Sequence, residues 1–162
     1  MRETRPGHDA RGRRFALVAS RFNETYVRRL VDAALETLRG RGVADDALEL
    51  TWVPGAYELP LAARWAAASG RFDAVLAFGV VIRGETEHFR LVSDAASQGL
   101  MRVMLDTGVP VLNGVLAAYD ADQAASRTGG AHGNRGSEVA LAALQMAALR
   151  ADRDAARSED TR

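Results

Sequence analysis

The chain has 162 residues, 48% of them hydrophobic, which suits one globular domain with its own core and is too short for two. It has no cysteine, and all 21 of its basic residues are arginine, so thiolate chemistry, lysine Schiff bases and the lysine of nucleotide-binding P-loops are excluded. The 21 acidic residues balance the arginines, which gives no electrostatic indication of a nucleic-acid partner. Proton transfer is left to the three histidines and to carboxylates.

The two ends of the chain are polar. Residues 1–13 are arginine-rich and without periodicity, which predicts a flexible arm and not a signal peptide. Residues 151–162 are predicted to form a charged tail that frays. No apolar run approaches the roughly 20 residues that span a bilayer, so we expect no membrane partner and a cytoplasmic location.

The hydrophobic pattern between the ends predicts one domain, at 14–150, in which strands alternate with helices. Compact apolar runs predict strands at 14–20, 48–53, 73–82 and 109–116. Helices are predicted after Asn23, from about 56 to 69, about 86 to 106, 120 to about 128, and about 137 to 150. Asp120 and Gln123 resemble a capping box at the start of the fourth helix.

This alternation predicts an α/β fold, with a parallel sheet covered by helices on both faces and right-handed crossovers. In such folds ligands bind beyond the carboxyl ends of the strands. The four strand exits are therefore predicted to form one site.

The first two exits carry groups suited to a ring and to hydroxyls. Phe22 could stack on a flat heterocycle or could be a hydrophobic plug beneath the next helix. Asn23 could bind a ring edge, but we favour a role as the cap of that helix. Gly55 permits close backbone approach, and Glu58 could hold ligand hydroxyls or only interact favourably with a helix dipole.

The third exit combines amide groups with a histidine. Gly84, Glu85 and Thr86 are predicted to direct unpaired amides outward at a helix N-terminus, which favours an anion. His88 would lie in the first turn, where its imidazole could move a proton near neutral pH. The alternative is an ordinary exposed histidine.

The fourth exit is marked by arginines. Asn113 lies inside the fourth strand, Arg127 ends the short helix and Arg135 follows a glycine-rich loop. Two arginines near one sheet edge suggest phosphate recognition, although each could be an ordinary surface residue. We expect His132 to be structural or exposed and His8 to be solvated.

Five separated motifs occur in an order that resembles the lumazine synthase family. They are SRFN, VPGAYELP and GVVIRGETEHF after the first three strands, LDTGVPVLNGVL around the fourth, and SRTGGAHGNRGSEVALAALQMA at the end. The resemblance covers about 14–149 and implies a flavodoxin-like three-layer sandwich with a four-stranded parallel sheet. It also implies the penultimate step of riboflavin biosynthesis, without cofactor or metal. In that step 5-amino-6-(D-ribitylamino)uracil condenses with 3,4-dihydroxy-2-butanone 4-phosphate to give 6,7-dimethyl-8-ribityllumazine, phosphate and water.

The resemblance also implies roles for individual residues. Those implied to bind the heterocycle and its ribityl chain are Phe22, Asn23, Gly55, Ala56, Glu58, Val81, Ile82 and Asn113. Those implied to hold the phosphate are Gly84, Glu85, Thr86, Arg127 and Arg135. His88 would move protons. The departures from the family pattern are Glu85 in place of a small residue, Asn113 in place of an aromatic one, and Arg135 in place of lysine.

Members of this family form pentamers with sites at subunit interfaces, and some build a shell of sixty subunits. The resemblance implies a homo-oligomer built from pentamers, and the loop at 129–134 is similar to that of shell-forming members. A flavodoxin-type electron carrier is disfavoured because SRFNET lacks a hydroxyl-rich phosphate loop. A response-regulator receiver is disfavoured because the chain has no lysine. A non-catalytic shell-forming or heterocycle-binding relative remains an alternative.

Overall fold

The computed structural model describes Met1 and residues 3–160, with the side chains of Met1 and residues 3–158. Its strands are β1 (Phe15–Ser20), β2 (Leu48–Val53), β3 (Ala74–Ile82), β4 (Val111–Ala118), β5 (Thr128–Gly130) and β6 (Gly133–Asn134). Its α-helices are α1 (Glu24–Gly40), α2 (Leu59–Ala68), α3 (His88–Thr107), α4 (Ala121–Arg127) and α5 (Arg135–Asp160). Turns of 3-10 helix occupy Asp45–Ala47 and Ala56–Glu58.

The main sheet has four parallel strands in the order β2-β1-β3-β4. Parallel neighbours cannot be joined by a tight hairpin, and helices supply the crossovers. The predicted α/β class and its four-stranded parallel sheet are confirmed. β5 and β6 form a separate antiparallel hairpin beside this sheet.

The pattern of β1 explains the three layers. Phe15, Leu17 and Ala19 join a core cluster with residues of α1 and α5, whereas Ala16 and Val18 join a second cluster with residues of α2 and α3. Successive side chains of a strand point to opposite faces, so an entirely apolar strand needs cover on both. Every residue of β1 is accordingly buried.

Gly136 allows α1 and α5 to pack against each other. It is buried at the start of α5, and a Cβ atom built there would overlap the carbonyl oxygen of Leu30 and lie 2.7 Å from its carbonyl carbon. Leu30 belongs to the buried core, so its backbone cannot retreat without displacing α1. Only glycine fits this contact.

We expect Gly136→Ala to lower the free energy of unfolding by about 3 kcal/mol, because the added methyl group forces two packed helices apart. Gly40→Ala is the matched control, since a Cβ at Gly40 meets nothing within 4 Å. Urea unfolding at equal protein concentration measures both variants. Equal midpoints for the two would contradict the close contact at Leu30.

Several boundaries differ from the predicted ones. β4 covers Val111–Ala118 and not 109–116, and α3 begins at His88 and not near residue 86. α5 continues to Asp160, past the predicted end near residue 150. Arg150 and Asp154 pair at 3.9 Å within it, and opposite charges four residues apart support an exposed helix. Within the described residues, no helix combines the length and apolar character needed to cross a bilayer.

The last residues of the predicted arm contact the rest of the chain. Ala10 is fully buried, and Arg13 donates a hydrogen bond from Nη1 to the carbonyl oxygen of Ala147 at 3.0 Å. Hydrogen bonds from Arg11 lower the pKa of the Asp9 carboxyl to about 2. The division into arm, domain and tail stays a prediction.

Candidate active site

A cavity of about 370 Å³ lies at the carboxyl end of β3 and is called the β3 cavity below. Four segments line it: the loop after β1, the 3-10 turn after β2, the end of β3, and the loop into α3 with the start of that helix. The first three strand exits therefore meet, as predicted from the parallel sheet. Most of the lining is apolar, which suits a flat ring.

The loop after β1 presents Phe22 to this cavity. Phe22 is 72% exposed, so it is not a plug beneath α1. The amides of Arg21 and Phe22 donate to the carbonyl oxygens of Val53 at 2.8 Å and Pro54 at 3.1 Å, which ties the loop to the end of β2. The ring is thus held at the cavity by its backbone.

Asn23 is at the N-cap position of α1, but its side chain does not cap the helix. Its Nδ2 donates instead to the carbonyl oxygen of Val80 in β3 at 2.8 Å, so the favoured prediction of a side-chain cap is wrong. The residue takes a left-handed backbone conformation, φ 58°, which asparagine tolerates better than most residues. This long-range bond fixes the loop after β1 against β3.

The 3-10 turn after β2 contributes Gly55, Ala56 and Tyr57 to the lining. Glu58 follows them, exposed, at the start of α2 and without a side-chain capping bond. A Cβ built on Gly55 would lie 3.1 Å from Glu58 Oε2, so the carboxylate sits directly beside the glycine. The absence of a side chain at residue 55 leaves this carboxylate accessible at the cavity's edge.

The loop into α3 places Gly84 and Thr86 in the lining together with His88. Because α3 begins at His88, the amides of residues 84–86 belong to the loop and not to the first turn, which corrects the predicted helix start. The His88 amide donates to Thr86 Oγ1 at 3.3 Å. Glu85 is exposed and is not among the lining residues, so its carboxylate lies outside the cavity.

A second cavity, of about 440 Å³, lies beyond the end of β4 and is called the α4 cavity below. Its lining includes residues 116–119, Gln123, Ser126, Arg127 and His132. The Phe89 ring, which lines the β3 cavity, meets the Tyr119 ring, which lines the α4 cavity, edge-to-face at 6.1 Å. The linings of the two cavities therefore meet at these two aromatic rings.

The start of α4 agrees partly with the predicted capping box. Asp120 Oδ1 accepts from the Gln123 amide at 2.7 Å, as in a capping box. The Gln123 side chain, however, accepts from the amide of Tyr119 at 3.0 Å and not from that of Asp120. The arrangement nevertheless fixes the short helix that carries Arg127.

The two predicted arginines are in different environments. Arg127 lines the α4 cavity and forms no ion pair within the described part of the chain. Arg135 pairs with Glu138 at 2.7 Å and lies outside the lining of either cavity. Arg127 is therefore the arginine with a guanidinium group free to bind an anion.

The side chain of Asn113 is hydrogen-bonded within its own chain. It lies opposite Ala77 in the sheet, its Nδ2 donates to Ser97 Oγ at 3.0 Å, and its Oδ1 accepts from the amide of Val115 at 2.9 Å. Neither cavity includes Asn113 in its lining. One chain thus groups most of the predicted residues around the β3 cavity but leaves Arg127, Arg135 and Asn113 elsewhere.

Tyr57 lines the β3 cavity and is 65% exposed, although the sequence pattern was not taken to predict a role for it. Its place in the site could have been predicted, because Tyr57 is an aromatic residue at a strand exit, as Phe22 is. Phe89 and Val92 also line this cavity, but their positions in a helix gave no indication of it. Among the described residues, no cluster of three or more histidine or acidic side chains is arranged to hold a metal ion.

Comparison with known proteins gives one consistent family. The family model described as 6,7-dimethyl-8-ribityllumazine synthase matches residues 12–151. A protein of that name from Xanthomonas euvesicatoria pv. vesicatoria (strain 85-10) is 50% identical over 136 residues, which cover 84% of this chain and 88% of the relative. Another from Stenotrophomonas maltophilia (strain R551-3) is 52% identical over 136 residues, with the same coverage of 84% and 88%. The chain therefore belongs to the 6,7-dimethyl-8-ribityllumazine synthase family.

Proposed function

We propose that this enzyme condenses 5-amino-6-(D-ribitylamino)uracil with 3,4-dihydroxy-2-butanone 4-phosphate and releases 6,7-dimethyl-8-ribityllumazine, phosphate and water. The observation that carries the proposal is the β3 cavity, where an exposed aromatic ring, free backbone at a strand end and a histidine surround one space. Family membership supports the same reaction.

The end of β3 is suited to bind the edge of the pyrimidine. β3 pairs with β4 up to Ile82, but its pairing with β1 stops at Phe78. On the side that faces β1, the β3 backbone after Phe78 has no strand partner. The Asn23 side chain donates a hydrogen bond to one group there, the carbonyl oxygen of Val80. Alternate residues of β3 direct their N–H and C=O groups to opposite neighbours, so those of Ile82 share the open side with Val80, whereas those of Val81 face β4. The Ile82 backbone can therefore hydrogen-bond a polar ring edge, with Phe22 stacked on its face and Val81 in the cavity lining.

The ribityl chain is proposed to extend along the 3-10 turn. Ala56 lines the cavity, and the exposed Glu58 carboxylate beside Gly55 can accept hydrogen bonds from hydroxyl groups. The phosphate of the second substrate is assigned to the loop amides of residues 84–86. Because the Glu85 side chain is outside the cavity, it does not oppose an anion there directly.

The proposed reaction needs no covalent intermediate between substrate and protein. The primary amine of the uracil attacks the ketone carbon, and one water leaves as an imine forms. Loss of the neighbouring C3 proton together with phosphate then gives an enol that tautomerises to a ketone. The ribityl-bearing amine attacks this ketone, and loss of a second water closes the ring. The nucleophile belongs to the substrate, so the missing lysine has no effect on this step. The protein contributes orientation of the two substrates and proton transfer by His88.

Arg127 does not line the β3 cavity of its own chain. It lines the α4 cavity, whose Tyr119 ring meets the Phe89 ring of the β3 cavity. We therefore propose that the α4 cavity of one subunit completes the β3 cavity of the next, with Arg127 directed at the phosphate. Asn113 and Arg135 would approach the shared site from the same subunit as Arg127.

Exposed apolar side chains on α2 and α3 support a homo-oligomer. Those more than half exposed are Leu61, Trp65, Leu91, Met101 and Leu105. Because a monomer would leave this apolar face in water, we propose a second copy as its partner, in an assembly built from pentamers and extending to a sixty-subunit shell. We place the enzyme in the cytoplasm, as expected from its composition.

Sedimentation velocity at neutral pH tests the assembly. We expect a pentamer or a multiple of it, because the site requires two neighbouring chains. A monomer that retained full activity would contradict the shared site.

Phe22→Ala is expected to raise KM for the ribitylaminouracil about tenfold, because it removes a stacking surface worth roughly 1 kcal/mol beyond apolar burial. Phe22→Tyr is the matched control, since it keeps the ring and should keep KM near the wild-type value. Steady-state kinetics with the ketone phosphate held at saturation measure both. An equal KM in all three proteins would exclude stacking on Phe22.

The reaction itself is tested by mixing purified protein with both substrates and following lumazine fluorescence. The proposal predicts a rate well above the uncatalysed condensation. Binding of the ribitylaminouracil without acceleration would favour the alternative, a non-catalytic shell-forming or heterocycle-binding relative.

A further inference from the structure

The β5–β6 hairpin carries a histidine that the proposed reaction does not yet use. His132 lies between the two strands, is exposed, and lines the α4 cavity together with Arg127. Its amide donates to the carbonyl oxygen of Ser126 at 3.0 Å. The loop is thereby bound to the residue that precedes Arg127 in the chain.

Glycines bring this hairpin close to α4. Gly129 and Gly133 have φ of 106° and 76°, in the left-handed region that favours glycine. A Cβ at Gly130 would lie 2.8 Å from both the carbonyl oxygen of Ala125 and the Cα of Ser126, so the backbones touch. The approach leaves no room for a side chain at residue 130.

The base of the hairpin is also anchored. Asn134 donates from Nδ2 to the carbonyl oxygen of Arg29 in α1 at 3.1 Å, and its Oδ1 accepts from the amide of Gly136 at 2.8 Å. The segment that presents His132 is therefore fixed at both ends, to α4 and to α1. Because the backbone is already fixed, less entropy is lost when the His132 side chain binds a ligand.

The charge of the α4 cavity suits an anion. Its charged or titratable lining residues, among those described, are Arg127, His132 and Tyr119, and none of them is a carboxylic acid. The Glu138 carboxylate nearby in sequence is already paired with Arg135 at 2.7 Å. An arginine and a histidine that line one cavity, neither of them in an ion pair among the described residues, can donate together to phosphate oxygens.

We propose that His132 is a second phosphate-binding side chain. It would contact the phosphate of the ketone substrate together with Arg127, when the α4 cavity of one subunit meets the β3 cavity of its neighbour. This inference rests on the proposed function and deepens it, because it assigns the phosphate a donor from the hairpin. His132 binds and orients this substrate and takes no part in the covalent steps.

The test is steady-state kinetics of the assembled enzyme with His132→Ala and His132→Gln, where Gln retains an N–H donor. We expect His132→Ala to raise KM for the ketone phosphate, and the inhibition constant of inorganic phosphate, by about threefold to tenfold. KM for the ribitylaminouracil and kcat should stay within about twofold, because neither depends on a phosphate donor. His132→Gln should recover part of the loss.

His8→Ala is the matched control, since His8 belongs to the N-terminal residues and lines neither cavity. Sedimentation of each variant separates lost assembly from lost binding. If wild type and His132→Ala have the same KM for the ketone phosphate and the same inhibition by phosphate, the assignment of His132 is wrong and the proposed reaction stands. A wild type that makes no lumazine would instead contradict the proposed reaction. Equilibrium binding of inorganic phosphate to the same two proteins would then decide the His132 assignment.

Discussion

Arg127→Ala is expected to lower kcat/KM for the ketone phosphate by about 10- to 100-fold, mainly through a higher KM. A charge-assisted hydrogen bond to a phosphate is worth roughly 1.5–3 kcal/mol, which corresponds to that factor. KM for the ribitylaminouracil should change little, because its ring and ribityl chain are assigned to the β3 cavity. Steady-state kinetics with each substrate varied in turn measure the difference.

Arg39→Ala is the control for this prediction. Arg39 is a surface arginine at the end of α1, paired with Asp45 at 2.6 Å and outside both cavities. Arg135→Ala is expected to give a smaller loss than Arg127→Ala, because the Arg135 guanidinium is already paired with Glu138. If Arg127→Ala and Arg39→Ala behaved alike, Arg127 would not be a phosphate ligand.

His88→Ala is expected to lower kcat by about 10²-fold with little change in either KM, because a positioned acid or base contributes at least that factor. Turnover should persist, since the site still holds both substrates in a reactive arrangement and the amine of the uracil remains the nucleophile. Pre-steady-state and steady-state formation of lumazine, with His8→Ala as the control, measure the effect. A kcat equal to that of wild type would remove His88 from the reaction.

The fold was largely predictable because its strongest signals are local. FALVAS in β1 and AFGVVI in β3 are apolar on both faces, and such strands belong in the middle of a covered parallel sheet. The exits of β1, β2 and β3 then had to meet at one edge. Residues such as Phe22, Gly84 and His88 were placed together by this argument alone.

Long-range contacts were not predictable from the sequence. Asn23 has the residue type and position of a helix cap, yet its side-chain amide donates to the carbonyl oxygen of Val80, which lies far along the chain. The same limit applies to α3, which begins at His88, later than the pattern indicated. The His88 amide, which has no partner within the helix, donates instead to the Thr86 hydroxyl. Local propensity describes what a residue can do, and tertiary partners decide which option is used.

The residues predicted to bind phosphate do not line a single cavity. Sequence order places Arg127 after the fourth strand, and the sheet rule brings all four exits to one edge. Arg127 nevertheless lines the α4 cavity and not the β3 cavity, and the two linings meet at the Phe89–Tyr119 contact. A single chain therefore presents the residues of the proposed site in two cavities.

Subunit mixing tests this central claim most directly. His88→Ala and Arg127→Ala proteins, each impaired alone, are dissociated, mixed and reassembled, and lumazine formation is then followed. Where the β3 cavity of an Arg127→Ala subunit meets the α4 cavity of a His88→Ala subunit, an intact site forms. We predict activity well above that of either variant reassembled alone. A mixture no more active than the average of its two components would show that each chain uses its own residues, and would contradict the shared site.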